Sequence, residues 1–168
     1  MKPLLRFTPI ALLTAAIVSP AANAQLITYP DISLAVANRL ADAAVAACLT
    51  KGRHIAVSVV DRGGNLVALQ RADNVGPHNT EASRRKAYTA LSTKSNTLMF
   101  SESARENPDS RNLTTLPELL LLGGGQPLKV GQQVVGAIGV AGGGGAQQDQ
   151  ACAIAAITAV PELNQMSN

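Results

Sequence analysis

The chain has no tryptophan, and only two tyrosines, two phenylalanines, two histidines and two cysteines among 168 residues. So few rings exclude an aromatic platform for stacking the bases of single-stranded nucleic acid. The core must instead be built from Ala, Val, Leu and Ile, with many glycines between them. Gly-x-x-x-x-Gly-Lys-Ser/Thr is absent, which removes an ATP-binding loop. Neither His54 nor His78 has a Cys or carboxylate cluster beside it, so a structural zinc site has no ligand set. His54 opens a predicted strand and reads as an edge residue. His78 precedes a polar helix and has the better claim on a ligand, with a plain loop role as the alternative.

What is present begins at the amino terminus. Lys2 and Arg6 give a short positive region, and residues 10–18 an apolar one too short to span a bilayer. Ser19 and Pro20 break that run, and Ala22-Asn23-Ala24 supplies the small-x-small pattern of a cleavage site. Residues 1–24 are therefore expected to be a secretory signal peptide, with the mature chain starting at Gln25 in the periplasm or outside the cell. The remaining residues, 25–168, suit one domain. The net charge of +3 includes Lys2 and Arg6, so the mature chain carries +3 − 2 = +1. Near-neutrality argues against nucleic acid as a partner, and no later apolar stretch runs uninterrupted long enough to cross a membrane.

Periodicity predicts a helix from Asp31, with Leu34, Ala37, Ala41, Ala44, Val45 and Cys48 on one face. Gly52 ends it. Residues 54–61 are rich in β-branched side chains and pair through the Arg62-Gly63-Gly64-Asn65 turn with residues 66–70. Helices are expected over 80–94 and 97–106, then a loop over 107–112. Leu119-Leu120-Leu121-Leu122 reads as a further strand, followed by a hairpin of 126–130 and 133–140 and a terminal helix over 147–160. The expected fold is α/β in the α+β sense: a five-stranded antiparallel sheet flanked by helices. The first and last helices should lie side by side, which would bring Cys48 near Cys152. In an oxidising compartment that pair reads as a disulfide or, alternatively, as two buried free thiols.

Two segments could hold a ligand. Gly142-Gly143-Gly144-Gly145 precedes a helix whose free amides could receive an anion, or is simply a flexible turn. In Arg84-Arg85-Lys86-Ala87-Tyr88-Thr89-Ala90, three adjacent cations form a local anion site, and Tyr88 and Thr89 add oxygens. A solvated basic face is the plain alternative there.

These residues resemble a known family, the HbpS/GlcG-like haem-binding proteins, themselves similar to the carboxy-terminal part of PduO-type corrinoid adenosyltransferases. The likeness runs from about Leu34 to Val160. Its carriers are Val57-Ser58-Val59-Val60-Asp61-Arg62-Gly63-Gly64, Lys86-Ala87-Tyr88-Thr89-Ala90, Gly124-Gly125-Gln126-Pro127-Leu128, and Val135-Gly136-Ala137-Ile138-Gly139-Val140-Ala141-Gly142-Gly143. The resemblance implies a profilin-like fold, assembly into a homo-oligomer such as an octamer, and binding of haem or its iron. It also implies Thr89 as the contact to the metal.

The leading expectation is thus an exported haem-binding protein, a binding protein more than an enzyme, suited to sensing, scavenging or transfer of haem or iron rather than to electron transport. Arg84, Arg85 and Lys86 would pair with propionates, and Thr89, Tyr88 or His78 would approach the iron. The alternative is an enzyme or accessory subunit for a small hydroxy- or keto-acid. There Lys86 would hold the carboxylate beside Gly142 and Gly143, and Asp61 would be the base. Asp61 has a simpler use, as the cap of its hairpin turn.

Overall fold

A computed structural model of the chain describes residues 26–163. The segment expected to be the signal peptide, residues 1–24, lies outside the described residues. Helix α1 (Leu34–Leu49) starts three residues later than periodicity predicts, because Ser33 caps it by accepting from the Val36 N–H. Asp31 is engaged elsewhere, accepting from the Ile32 and Arg62 amides. Strands β1 (Ala56–Val60) and β2 (Leu66–Arg71) form the first hairpin. Helix α2 (His78–Thr93) ends on Lys94, which is left-handed at φ 54°. Helix α3 (Thr97–Glu106) follows. The expected loop over 107–112 instead forms a short helix α4 (Pro108–Arg111), capped by Asn107, and a 3-10 turn. Strands β3 (Gly125–Val130) and β4 (Gln133–Ala141) and helix α5 (Ala146–Thr158) complete the order.

The sheet is antiparallel and has four strands in the order β2-β1-β4-β3, not five. The missing strand is the Leu119 to Leu122 run. Its backbone is held by side chains rather than by a neighbouring strand. Arg85 donates to the Leu119 carbonyl, the Leu120 N–H donates to Thr89 Oγ1, and Thr97 Oγ1 donates to the Leu122 carbonyl. Among the described residues this run pairs with no strand of the sheet.

The central strands are covered on both faces, and the two faces differ in side-chain size. Val57, Val59, Ile138 and Val140 point to one side and pack with Leu40, Ala41, Ala44, Ala153 and Ala156 of α1 and α5. Cys48 and Cys152 join those two helices through a disulfide with a Cα separation of 5.5 Å. The opposite face is small: Ser58, Ala137, Gly125 and Gly139. Here α2 lies almost on the sheet, with Ala87 and Ala90 packed beside Val60 and Ala137. Gly125 and Gly139 are cross-strand partners. A Cβ on Gly139 would stand 2.1 Å from the Ser83 carbonyl oxygen, and one on Gly125 2.2 Å from that of Lys86. Only glycine permits this approach, which sets the depth of α2 and therefore of every site residue it carries.

Candidate functional site

Helix α2 carries most of the expected site, and burial sorts its residues into two groups. Lys86 is fully buried: its Nζ donates to Asp149 Oδ2 at 2.7 Å and to the Val140 carbonyl at 3.0 Å. The expected exposed cation for a propionate is thus already paired inside the chain. Thr89 is also fully buried, donating to the Arg85 carbonyl at 2.7 Å and accepting from the Leu120 N–H at 2.8 Å. Its donor and one acceptor position are occupied within the monomer, and the hydroxyl fixes the leucine-rich loop to α2.

The residues on the outward stripe are accessible to different degrees. His78 and Glu81 are exposed, while Arg84, Arg85 and Tyr88 are half-buried. Spacings of three and four place His78, Glu81, Arg85 and Tyr88 along one line of the helix surface. Arg84 makes a two-point contact with Glu81 at 2.7 and 2.9 Å. That hydrogen bond raises the Arg84 guanidinium and lowers the Glu81 carboxyl relative to their ordinary values. Arg85 reaches the Leu119 carbonyl, and its Nε is buried with no hydrogen-bond partner among the described residues.

The expected carboxylate pocket is not assembled. Asp61 follows the end of β1 that pairs with Ala137, whereas Gly142 follows the end of β4 that pairs with Ala56. The two therefore lie at opposite ends of β1, separated by roughly 16 Å at the usual rise of an extended strand. Asp61 caps its own turn, accepting from the Asn65 backbone and side-chain amides. The Gly143 N–H, expected to face an incoming anion, donates to Asp149 Oδ1 at 2.7 Å. The chain itself supplies that anion.

Asp149 was not among the residues singled out from the sequence. It ties the glycine loop, α5 and α2 together by accepting from both Gly143 and Lys86. One signal was available: it is the lone carboxylate in an Ala/Gln-rich helix, and an apolar helix face containing Lys86 needs a counter-charge.

A second feature absent from the expected site is a surface cavity of about 390 Å³ at the carboxy-terminal end of α2. The two hairpin turns close it. Tyr88, Leu91 and Lys94 line it from α2 and its cap, Arg62 and Gly63 from the β1–β2 turn, and Gln132, Gln133 and Val134 from the β3–β4 turn. Gly64, at φ +83°, seats the Tyr88 ring; a Cβ there would lie 2.8 Å from Tyr88 Cε2. Arg62 donates to the Val134 carbonyl and stacks over the Tyr29 ring, 4.0 Å from its centroid. Among the described residues, no group of three or more His, Cys, Asp or Glu side chains is placed to hold a metal ion, and no helix is long and apolar enough to cross a membrane.

Comparison with known proteins agrees with this architecture. Residues 32–158 match the family model described as haem degrading protein HbpS-like. The crystal structure of HbpS superposes with a TM-score of 0.77 at 34% identity, covering 84% of this chain and 99% of that one. The PduOC:haem complex gives a TM-score of 0.70 at 25% identity, covering 77% and 95%. In Citrobacter freundii, the 15.0 kDa protein of the dhaT-dhaS intergenic region is 33% identical over 134 residues, 79% of this chain and 94% of that protein.

Proposed function

The chain belongs to the HbpS-like family, and from that premise we propose that it is an exported haem-binding protein. The observation that carries the reading is the outward stripe of α2. It presents two side chains able to ligate iron, His78 and Tyr88, with the cations Arg84 and Arg85 between them. Haem needs an axial donor and positive charge for its propionates, and these residues can supply both. When bound, haem would supply an iron centre. The chain's own residues would bind and orient the macrocycle, and their accessibility suits reversible loading in sensing, scavenging or transfer of haem.

Export is supported by the Ala22-Asn23-Ala24 motif and by the buried Cys48–Cys152 disulfide, a bond that persists in oxidising compartments. Homo-oligomerisation belongs to the same reading. Among the described residues the outer strands, β2 and β3, each pair with one strand only, and Leu66 and Leu69 on β2 are exposed. Titration of the purified protein with hemin tests the binding reading: a saturable Soret band at one haem per chain supports it, and a linear, unsaturable rise in absorbance contradicts it.

A further inference from the structure

We propose that the cavity at the carboxy-terminal end of α2 is a second binding site, independent of the haem reading, for a small polyhydroxylated monocarboxylate of the sugar-acid type. Its volume of about 390 Å³ lies near the lower end of ligand-sized cavities, roughly 300–1,000 Å³, which suits a small molecule rather than a macrocycle. No carboxylate lines it, while two cations do. The Lys94 ammonium has no hydrogen-bond or ion-pair partner among the described residues. The Arg62 guanidinium is held by the Val134 carbonyl, 3.2 Å from its Nη1, and by the Tyr29 ring. Those contacts fix its position, yet neither partner carries a negative charge to cancel it. The end of α2 contributes about half a negative charge. Two cations exceed that, so the cavity favours a ligand with a single negative charge.

The remaining polar groups set the rest of the ligand. Ser92 adds a hydroxyl, and Gln132 and Gln133 each add an amide that both donates and accepts. None of these three side chains has a hydrogen-bond partner among the described residues. Hydroxyls along a carbon skeleton can use such groups, whereas a simple fatty or aromatic acid would leave them idle. Leu91, Val134 and the Tyr88 ring, which packs on Gly64, offer apolar surface to the C–H bonds of the same skeleton. This cavity is not the carboxylate pocket expected from the sequence, because Asp61, Lys86, Gly142 and Gly143 take no part in its lining.

Calorimetric titration of the full chain with D-glucuronate, D-glucose and acetate, with amide NMR of the complex, separates the outcomes. Glucuronate should bind saturably, one per chain, with a Kd at or below about 1 mM. Glucose lacks the carboxylate and acetate lacks the hydroxyls, so each should bind about tenfold or more weakly. Amide shifts should centre on residues 62–63, 91–94 and 132–134. Lys94→Gln should weaken glucuronate binding about fivefold and Gln132→Ala about threefold. Thermal unfolding should be unchanged in both, because neither side chain has a partner within the described residues. Tyr88 borders both this cavity and the outward stripe, so no variant alters it. Arg53→Gln removes an exposed cation beside Gly144, at the opposite end of β1, and should leave binding unaltered. Absence of saturable glucuronate binding overturns the proposal. Equal binding of acetate would reduce the cavity to a simple anion site, and equal binding of glucose to a neutral-sugar site; either result overturns the assignment. Unchanged affinity in both Lys94→Gln and Gln132→Ala would place the ligand elsewhere. The hemin titration is read separately, so failure of either reading leaves the other standing.

Discussion

Lys86 Nζ and Asp149 Oδ2 meet at 2.7 Å in the interior, with side-chain exposures of only 1% and 6%. Two helices on opposite faces of the sheet are joined by this contact, since Lys86 belongs to α2 and Asp149 to α5. It passes the end of β4, where Lys86 also donates to the Val140 carbonyl. Removing one partner leaves the other charge buried and uncompensated. Lys86→Met should therefore lower stability by about 3–5 kcal/mol, whereas Lys86→Met with Asp149→Leu should cost clearly less than the sum of the single changes. Denaturant unfolding of all three proteins measures the difference. Additive losses would mean that the ion pair is not a coupled unit.

Thr89 is expected to act on the leucine-rich loop rather than on iron directly. Thr89→Val keeps the shape but leaves the Leu120 N–H without its acceptor, so stability should fall by about 1–3 kcal/mol. Amide exchange should accelerate at Leu120 while the hemin spectrum keeps its band position. Thr89→Ser retains the hydroxyl and should restore most of the protection.

The close contact of α2 with the sheet should be intolerant of a single methyl group. Gly139→Ala brings a Cβ against the Ser83 carbonyl, and neither the central strand nor the helix backbone can move aside locally. A loss of about 3 kcal/mol, or failure to fold, is expected. Gly52→Ala meets no atom within 4 Å and, although its positive φ carries a strain cost, should be milder. Thermal unfolding of the two variants ranks them.

Acid should act on the Glu81–Arg84 pair in a defined direction. The hydrogen bond from Arg84 lowers the folded-state pKa of Glu81 below its unfolded value. The pair's contribution is therefore present above the ordinary glutamate range and is lost as pH falls through the lowered folded value. The exposure of both groups keeps that contribution small. An NMR titration of the Glu81 carboxyl should show the low midpoint, and Arg84→Gln should return it toward the ordinary one.

Much of the architecture was legible in the order and periodicity of the chain. The apolar stripe of α1, the β-branched run of β1 and the glycine-punctuated second hairpin each follow from local preferences. The proximity of Cys48 and Cys152 followed from placing two alanine-rich helices on one face. The leucine run misled because apolar content alone does not provide a pairing partner. Its backbone is held by Arg85, Thr89 and Thr97, contacts between elements distant in sequence. The side of α2 that each expected site residue takes was hidden for a related reason. Adjacent cations look alike along a chain, but α2 turns Lys86 inward and Arg84 outward. The cavity needs both hairpin turns and the end of α2, three segments that no spacing brings together.

Hydrogen exchange with and without bound hemin tests the central claim most directly, because it reports where the ligand sits without any substitution. Protection is predicted to concentrate at residues 78–88, the part of α2 that carries the outward stripe. Protection confined to residues 142–149, with α2 unchanged, would contradict it.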